Sequence, residues 1–324
     1  MSAAQTAQLD AGAAPVDRAA GERPLETYVI VATRGRAAET YTLLDYLGRQ
    51  SRAPDKIVVV GAGQADVAGL ESHPSVEGGR TRICLSPVAG LCAQRNHGIR
   101  QIAVGDGAFM AAFFDDDFRP DEDWLARAAE TLSLSGSVAG LTGHVLADGI
   151  LRGGIREEDA RDYLAGRRPP ERHWASGSKP RDVDSVYGCN MAFRDTVLRG
   201  CRFDEELALY GWQEDRDFTG QARRFGRIIL EPECRGVHLG VSSARTSGLR
   251  LGYSQIANLV YMARKGTTDW GTALRLMSRN VAANVIKPFL GRREVDYPGR
   301  LRGNLLAIRH LAYRRCRPSA ILDM

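Results

Sequence analysis

No run of about 18 apolar residues occurs in the 324-residue chain, so the sequence offers no helix expected to span a membrane. Its first 24 residues, rich in Ala, Gly and Asp, lack the apolar core of a secretory signal. They are expected to form a disordered tail over residues 1–24. The six cysteines (Cys84, Cys92, Cys189, Cys201, Cys234 and Cys316) include no CxxC pair, and no histidine stands at zinc-finger spacing. That scatter points to reduced thiols, mostly small core residues, and to a cytoplasmic setting. No internal repeat is present, and the arginines carry no recognisable nucleic-acid-binding motif, so no nucleic-acid partner is expected. The 44% hydrophobic and 26% charged fractions are those of an ordinary globular protein, long enough for one large domain or two modest ones.

What the chain does have is an apolar run, Ala108 to Phe114, that stops at three consecutive carboxylates, Asp115-Asp116-Asp117, before Phe118-Arg119-Pro120. Adjacent acids repel one another, and such a cluster costs stability unless a cation or ligand offsets it. At the carboxyl end of a central strand it would face the crevice where α/β proteins bind ligands, and hard divalent cations take oxygen donors there. The plain alternative is a solvated acidic turn capping the helix that starts near Asp121-Glu122-Asp123-Trp124.

The rest of the pattern supports an α/β sheet. Thr27 to Ala32 reads as a strand ending at Thr33-Arg34-Gly35-Arg36, and a helical spacing of Tyr41, Leu44 and Leu47 follows. Lys56 to Val60 is a second buried-type strand, which completes a βαβ unit and predicts a parallel pairing. A short third strand at 82–85 leads into a helix carrying Gln94, Arg95, Asn96 and His97. The acidic strand, a helix from Glu122 to about Leu134 and a strand over 137–145 come next. Residues 146–184, rich in Arg, Gly, Pro and Asp, are expected to form one long functional loop. Strand character returns at Val186 to Phe193 and at Arg227 to Leu230, and helical patterns dominate beyond 240. The expected division is a domain over 25–240 followed by a basic helical extension over 241–324.

A second acidic pair, Glu214-Asp215, stands at an aromatic-flanked helix start, between Tyr210, Trp212 and Phe218. Two acidic groups in one α/β chain suit an enzyme that transfers a group from a nucleotide diphosphate. One neutralises the leaving diphosphate through a cation, and the other takes a proton from the acceptor hydroxyl.

In order and spacing these segments resemble the family-2 glycosyltransferases, inverting enzymes of the GT-A fold. The carriers are Val29 to Arg36, Ala93-Gln94-Arg95-Asn96-His97-Gly98-Ile99, Phe113 to Asp117 with Trp124-Leu125, Tyr187 to Phe193, Phe203-Asp204-Glu205, and Glu214 to Phe218 through Arg224-Phe225-Gly226. The resemblance covers roughly 25–240. It implies a Rossmann-like, mostly parallel central sheet flanked by helices, a nucleotide-diphosphate sugar as donor, and a carbohydrate or lipid-linked glycan as acceptor. It further implies that Thr33, Arg36 and Arg95 sit at the donor, with Asp115 and Asp116 beside it. Asp115, Asp117 and His238 would hold a divalent metal, Mn2+ or Mg2+, and an imidazole ligand favours manganese. Asp215 would act as general base, with Trp212, Glu214 and Asn190 toward the acceptor.

There is one departure. The family's usual nucleobase-binding Asp at the end of the second strand is replaced by Gly61-Ala62-Gly63-Gln64, which moves that contact to Gln64, Asp66 or the backbone. From Gly271 onward, eleven Lys and Arg stand against Glu294, Asp296 and Asp323. That balance, with amphipathic patterns at Trp270 to Leu290 and Leu301 to Tyr313, is expected to favour peripheral contact with the inner membrane face or packing in a homo-oligomer. The rival functions are a sugar-nucleotide nucleotidyltransferase and a non-catalytic nucleotide- or carbohydrate-binding protein. The first lacks its Gly-rich phosphate loop here, and the second gives no reason to keep Asp115, Asp117 and Asp215.

Overall fold

The computed structural model describes residues 25–102, 107–150, 152–241, 247–290 and 295–324. The tail expected over 1–24 lies outside them. The order is β1 (Glu26–Thr33), α1 (Ala37–Gly48), β2 (Lys56–Gly61), α2 (Pro74–Glu77), β3 (Thr81–Leu85), α3 (Leu91–Gln101), β4 (Phe109–Asp115), β5 (Phe118–Pro120), α4 (Trp124–Leu134) and β6 (Val138–Asp148). Then come α5 (Glu157–Leu164), β7 (Arg181–Asp182), β8 (Asn190–Arg194), α6 (Asp195–Gly200), α7 (Glu214–Ala222), β9 (Arg227–His238), α8 (Gly248–Lys265), α9 (Trp270–Ile286) and α10 (Tyr297–Ala312).

Residues 57–60 and 109–114 read as unbroken apolar runs because both faces of these strands are covered. Ile30, Val58, Val60, Ala111 and Phe113 point into one apolar cluster, while Val29, Val31, Ile57, Val59 and Phe114 point into the other. This alternation follows from the two-residue strand period, and helices close each face. The sheet order is β3-β2-β1-β4-β8-β6-β9-β5, with β7 on β9. The strands β3, β2, β1, β4, β6 and β9 run the same way, and β8 is inserted antiparallel between β4 and β6. The chain moves outward from β1 to β3 and then returns to the other side of β1 as β4. That reversal is the switch point at which open α/β sheets bind ligands, and Ala32 pairs with Asp115 there.

The expected loop over 146–184 is corrected by α5 and β7. Helix α5 escaped the periodicity argument because Ala160 is its one buried residue. It forms with Glu157, Glu158 and Asp159 in its first turn, and Glu157 binds the buried Arg119. Strand β9 also runs further than expected, passing through Pro232. The register jumps there from Gly143–Glu231 to His144–Arg235, so Pro232 sits in a bulge and costs no ladder hydrogen bond. Helix α8 is not detached from the sheet domain: Leu259, Met262 and Ala263 share an apolar cluster with Phe113 and Phe218.

Candidate active site

The acids collect at the carboxyl ends of β1, β4 and β9. Asp117 lies just before β5, and β5 pairs with β9 so that Phe118 faces His238. This register brings Asp117 and His238 together from distant sequence positions: His238 Nε2 lies 3.4 Å from Asp117 Oδ1. The donor atoms of Asp115, Asp117 and His238 all fall within 4.8 Å of one another. Asp117 Oδ1 is buried without a hydrogen-bond partner, an open lone pair at the centre of the group. Two carboxylates, an imidazole and an unsatisfied buried oxygen fit a divalent cation, and this set suits manganese better than magnesium.

The cluster is held from behind. Arg36 Nη1 donates to Asp117 Oδ2 at 2.8 Å, and its Nε lies 3.1 Å from Asp116 Oδ1. Thr33 Oγ1 donates to Asp116 Oδ2 at 2.8 Å, so Thr33 steadies the acids from a buried position. Burial pushes the Asp116 carboxyl up to about 8 against the pull of Arg36. Burial acts on Asp117 in the same sense, but His238 and Arg36 outweigh it and hold that carboxyl below its ordinary range. His238 Nδ1 donates to Asp148 Oδ1 at 3.2 Å, which turns Nε2 toward Asp117. Burial disfavours the imidazolium, yet Asp117 and Asp148 prevail and raise the His238 pKa well above normal. Tyr187 donates to Asp148 at 2.7 Å, and His173 lies 3.4 Å from the same carboxylate.

The second acidic group is at the start of α7. The backbone reaches it through left-handed conformations at Leu209, Gly211 and Gln213. A non-glycine residue held there costs about 1 kcal/mol or more, and such strain gathers at functional sites. Asp215 accepts from Gly188 N at 3.1 Å and from Arg216 N at 2.8 Å. It is half-buried, and the protein packed around it pushes its carboxyl up despite those amides. A Cβ on Gly188 would come within 2.9 Å of Glu214 Oε1, so a side chain there would press on the Glu214–Arg95 pair.

Arg95 joins the two groups. It is fully buried, and it donates to Asp115 at 2.9 Å, to the Gly188 carbonyl at 2.8 Å and to Glu214. Asp115 and the helix that presents Asp215 therefore share one guanidinium. The guanidinium of Arg95, the residue expected at the donor, is engaged with Glu214, Asp115 and Gly188. Gln94 and Asn96 beside it are also staples: Gln94 donates to the carbonyls of Thr33 and Val60, and Asn96 exchanges hydrogen bonds with the Phe203 backbone.

The residues expected at the acceptor divide. Glu214 is buried against Arg95. Asn190 is fully buried, with its Oδ1 accepting from Thr142 Oγ1 and Gly143 N across to β6. Trp212 packs against the main apolar cluster, and its carbonyl accepts from Asn258. Asp66 spends its oxygens on the amides of Gly35, Ala62 and Gly63, tying together the turns after β1 and β2. Sequence reasoning missed Trp174, which is 49% exposed with its ring 5.5 Å from Tyr187, and undervalued Tyr210, also 49% exposed. An indole in an otherwise polar Arg/Gly/Pro segment was the available signal.

Residues 28–199, more than half of the chain, match Glycosyl transferase family 2. The chain belongs to this family. The succinoglycan biosynthesis protein ExoM of Rhizobium meliloti (strain 1021) is 28% identical over 228 residues, which is 66% of this chain and 66% of ExoM. The chain thus spans just under two thirds of that relative. Among solved structures, GalNAc-T7 with UDP, GalNAc and Mn2+ has a TM-score of 0.55 at 14% identity, covering 74% of this chain and 48% of that one. TarS residues 1–349 from S. aureus gives 0.51 at 15% identity, with 78% and 69% covered. The mannosyltransferase PcManGT from Pyrobaculum calidifontis, in complex with GDP-Man and Mn2+, gives 0.50 at 17%, with 94% and 82% covered. These likenesses place the family-2 chain on a GT-A fold. Its Asp-Asp-His group stands at the switch point of that sheet, and no helix among the described residues is long and apolar enough to cross a membrane.

Proposed function

We propose that the protein is a metal-assisted, inverting glycosyltransferase of polysaccharide or glycoconjugate synthesis, working at the cytoplasmic side of the membrane. It would move a sugar from a nucleotide-diphosphate sugar to an acceptor hydroxyl. The observation that carries this reading is the Arg95 bridge, which sets the Asp115–Asp117–His238 group and Asp215 at one end of one sheet. A divalent cation bound by Asp115, Asp117 and His238 would neutralise charge on the departing diphosphate. Arg36 fixes the orientation of Asp117, and Thr33 steadies the neighbouring Asp116. Asp215 accepts the proton of the acceptor hydroxyl as its oxygen bonds to the anomeric carbon and the bond to the diphosphate breaks. Its raised pKa makes it a better base than an ordinary aspartate. Trp174 and Tyr210 offer half-exposed aromatic faces for the acceptor, the amphipathic surface that stacks on sugars. Membership of the family and the name of the ExoM relative support the polysaccharide reading.

The test is transfer from a panel of sugar nucleotides, with the anomeric configuration of the product read by NMR. The expected result is an inverted linkage formed with manganese and abolished by chelation. Retained configuration, or full transfer after chelation, would overturn the proposal.

A further inference from the structure

The C-terminal helices carry a surface that the transfer chemistry does not use. Along α9, Trp270, Leu274 and Val285 are exposed, and the stripe runs on to Phe289 just beyond the helix, 87% exposed. On a period of 3.6 residues these positions share one side, and Arg275 and Arg279 border it. Helix α10 repeats the pattern, with Leu305 and Ile308 exposed and Arg302 and Arg309 alongside. The two stripes meet at a groove of about 530 Å³, lined by Ile256, Met277, Val281, Ala282, Ile308 and Leu311. The result is one apolar face with a basic rim. Large side chains exposed in this number and continuity mark an interaction surface.

We propose that the joined face of α9 and α10 docks on the surface of an anionic lipid bilayer. Beyond their N-cap residues Asp269 and Asp296, neither helix contains an acidic residue, so the charged side chains along the stripes are basic. A second copy related by a two-fold axis would bring that rim against itself, a like-charge contact. An anionic headgroup layer instead attracts the arginines while the apolar stripe enters the acyl boundary, as in-plane amphipathic helices do. With no helix able to cross, the contact is peripheral.

The experiment is co-sedimentation of the full chain, at physiological salt, with phosphatidylcholine vesicles and with vesicles one-third phosphatidylglycerol. Binding is expected to the anionic vesicles alone, weakened about tenfold or more by Arg275→Glu with Arg279→Glu and similarly by Leu274→Ser with Phe289→Ser. In brominated-lipid vesicles, tryptophan emission should be quenched in the wild type and not in Trp270→Phe. These side chains are exposed, and unchanged thermal melting confirms that the variants fold. Three outcomes would overturn the inference: no partition to anionic vesicles, undiminished binding by both double variants, or a concentration-dependent dimer that the apolar variant dissolves. The assay contains no sugar nucleotide, so its failure is separate from failure of the transferase reading.

Discussion

The acidic crevice and the α9–α10 face break the same rule in opposite directions. At the crevice, Asp116, Asp117, Arg95 and Glu214 are ionisable groups taken out of water. On the helices, Leu274, Phe289 and Leu305 are apolar groups left in it. Buried charge and exposed hydrocarbon both cost stability, and a chain keeps them where a ligand or partner offsets the cost. The crevice is also rigidly cross-linked, each acid having a named partner, whereas the helix face makes few contacts of its own. The first region is therefore sensitive to single changes, and the second tolerates them.

The largest expected effect comes from cutting the crevice's bridge. Arg95→Met leaves Glu214 and Asp115 without their shared cation and should lower stability by about 3–5 kcal/mol, measured by urea unfolding. A loss below about 1 kcal/mol would mean that the two acidic groups are not coupled through Arg95. Next, Trp174→Ala should raise the acceptor KM about tenfold, leaving donor binding and melting temperature unchanged. An unchanged acceptor KM would move the acceptor away from this face.

A pH profile sharpens the crevice side further. Asp215 works deprotonated and its pKa lies above the ordinary carboxylate value of about 4, so kcat/KM should fall with decreasing pH along a limb displaced upward from that value. A limb at or below the ordinary value would remove Asp215 as the titrating base. The smallest effect belongs to the helix face, where Leu274→Ser with Phe289→Ser should shift unfolding by no more than about 0.5 kcal/mol. A larger loss would show that these side chains already support the fold.

Much of this was legible in the sequence because its causes are local. The strands β1, β2 and β4 announce themselves through apolar runs buried on both faces, and the triple aspartate marks where β4 ends. Other features depend on pairings that no local pattern carries. The meeting of Asp117 with His238 was implied by the family resemblance, and the β5–β9 register is what brings it about. Helix α5 is held by Glu157 on Arg119 rather than by an apolar stripe, so periodicity could not find it. Trp212 drew attention by its proximity in sequence to Asp215 and is partly buried against the core, while Trp174, from a distant segment, lies beside Tyr187. The basic bias beyond Gly271 was visible, but its alignment along two apolar stripes needed the helices in place.

The central claim is that one acidic group grips the donor diphosphate through a cation while the other deprotonates the acceptor. Calorimetry of donor binding with manganese, paired with turnover, separates these roles in two variants. Asp215→Asn should bind donor as the wild type does and lose transfer by about 10²- to 10⁴-fold, while Asp117→Asn should lose donor binding itself. Turnover surviving in Asp215→Asn, or donor binding surviving in Asp117→Asn, would contradict the account.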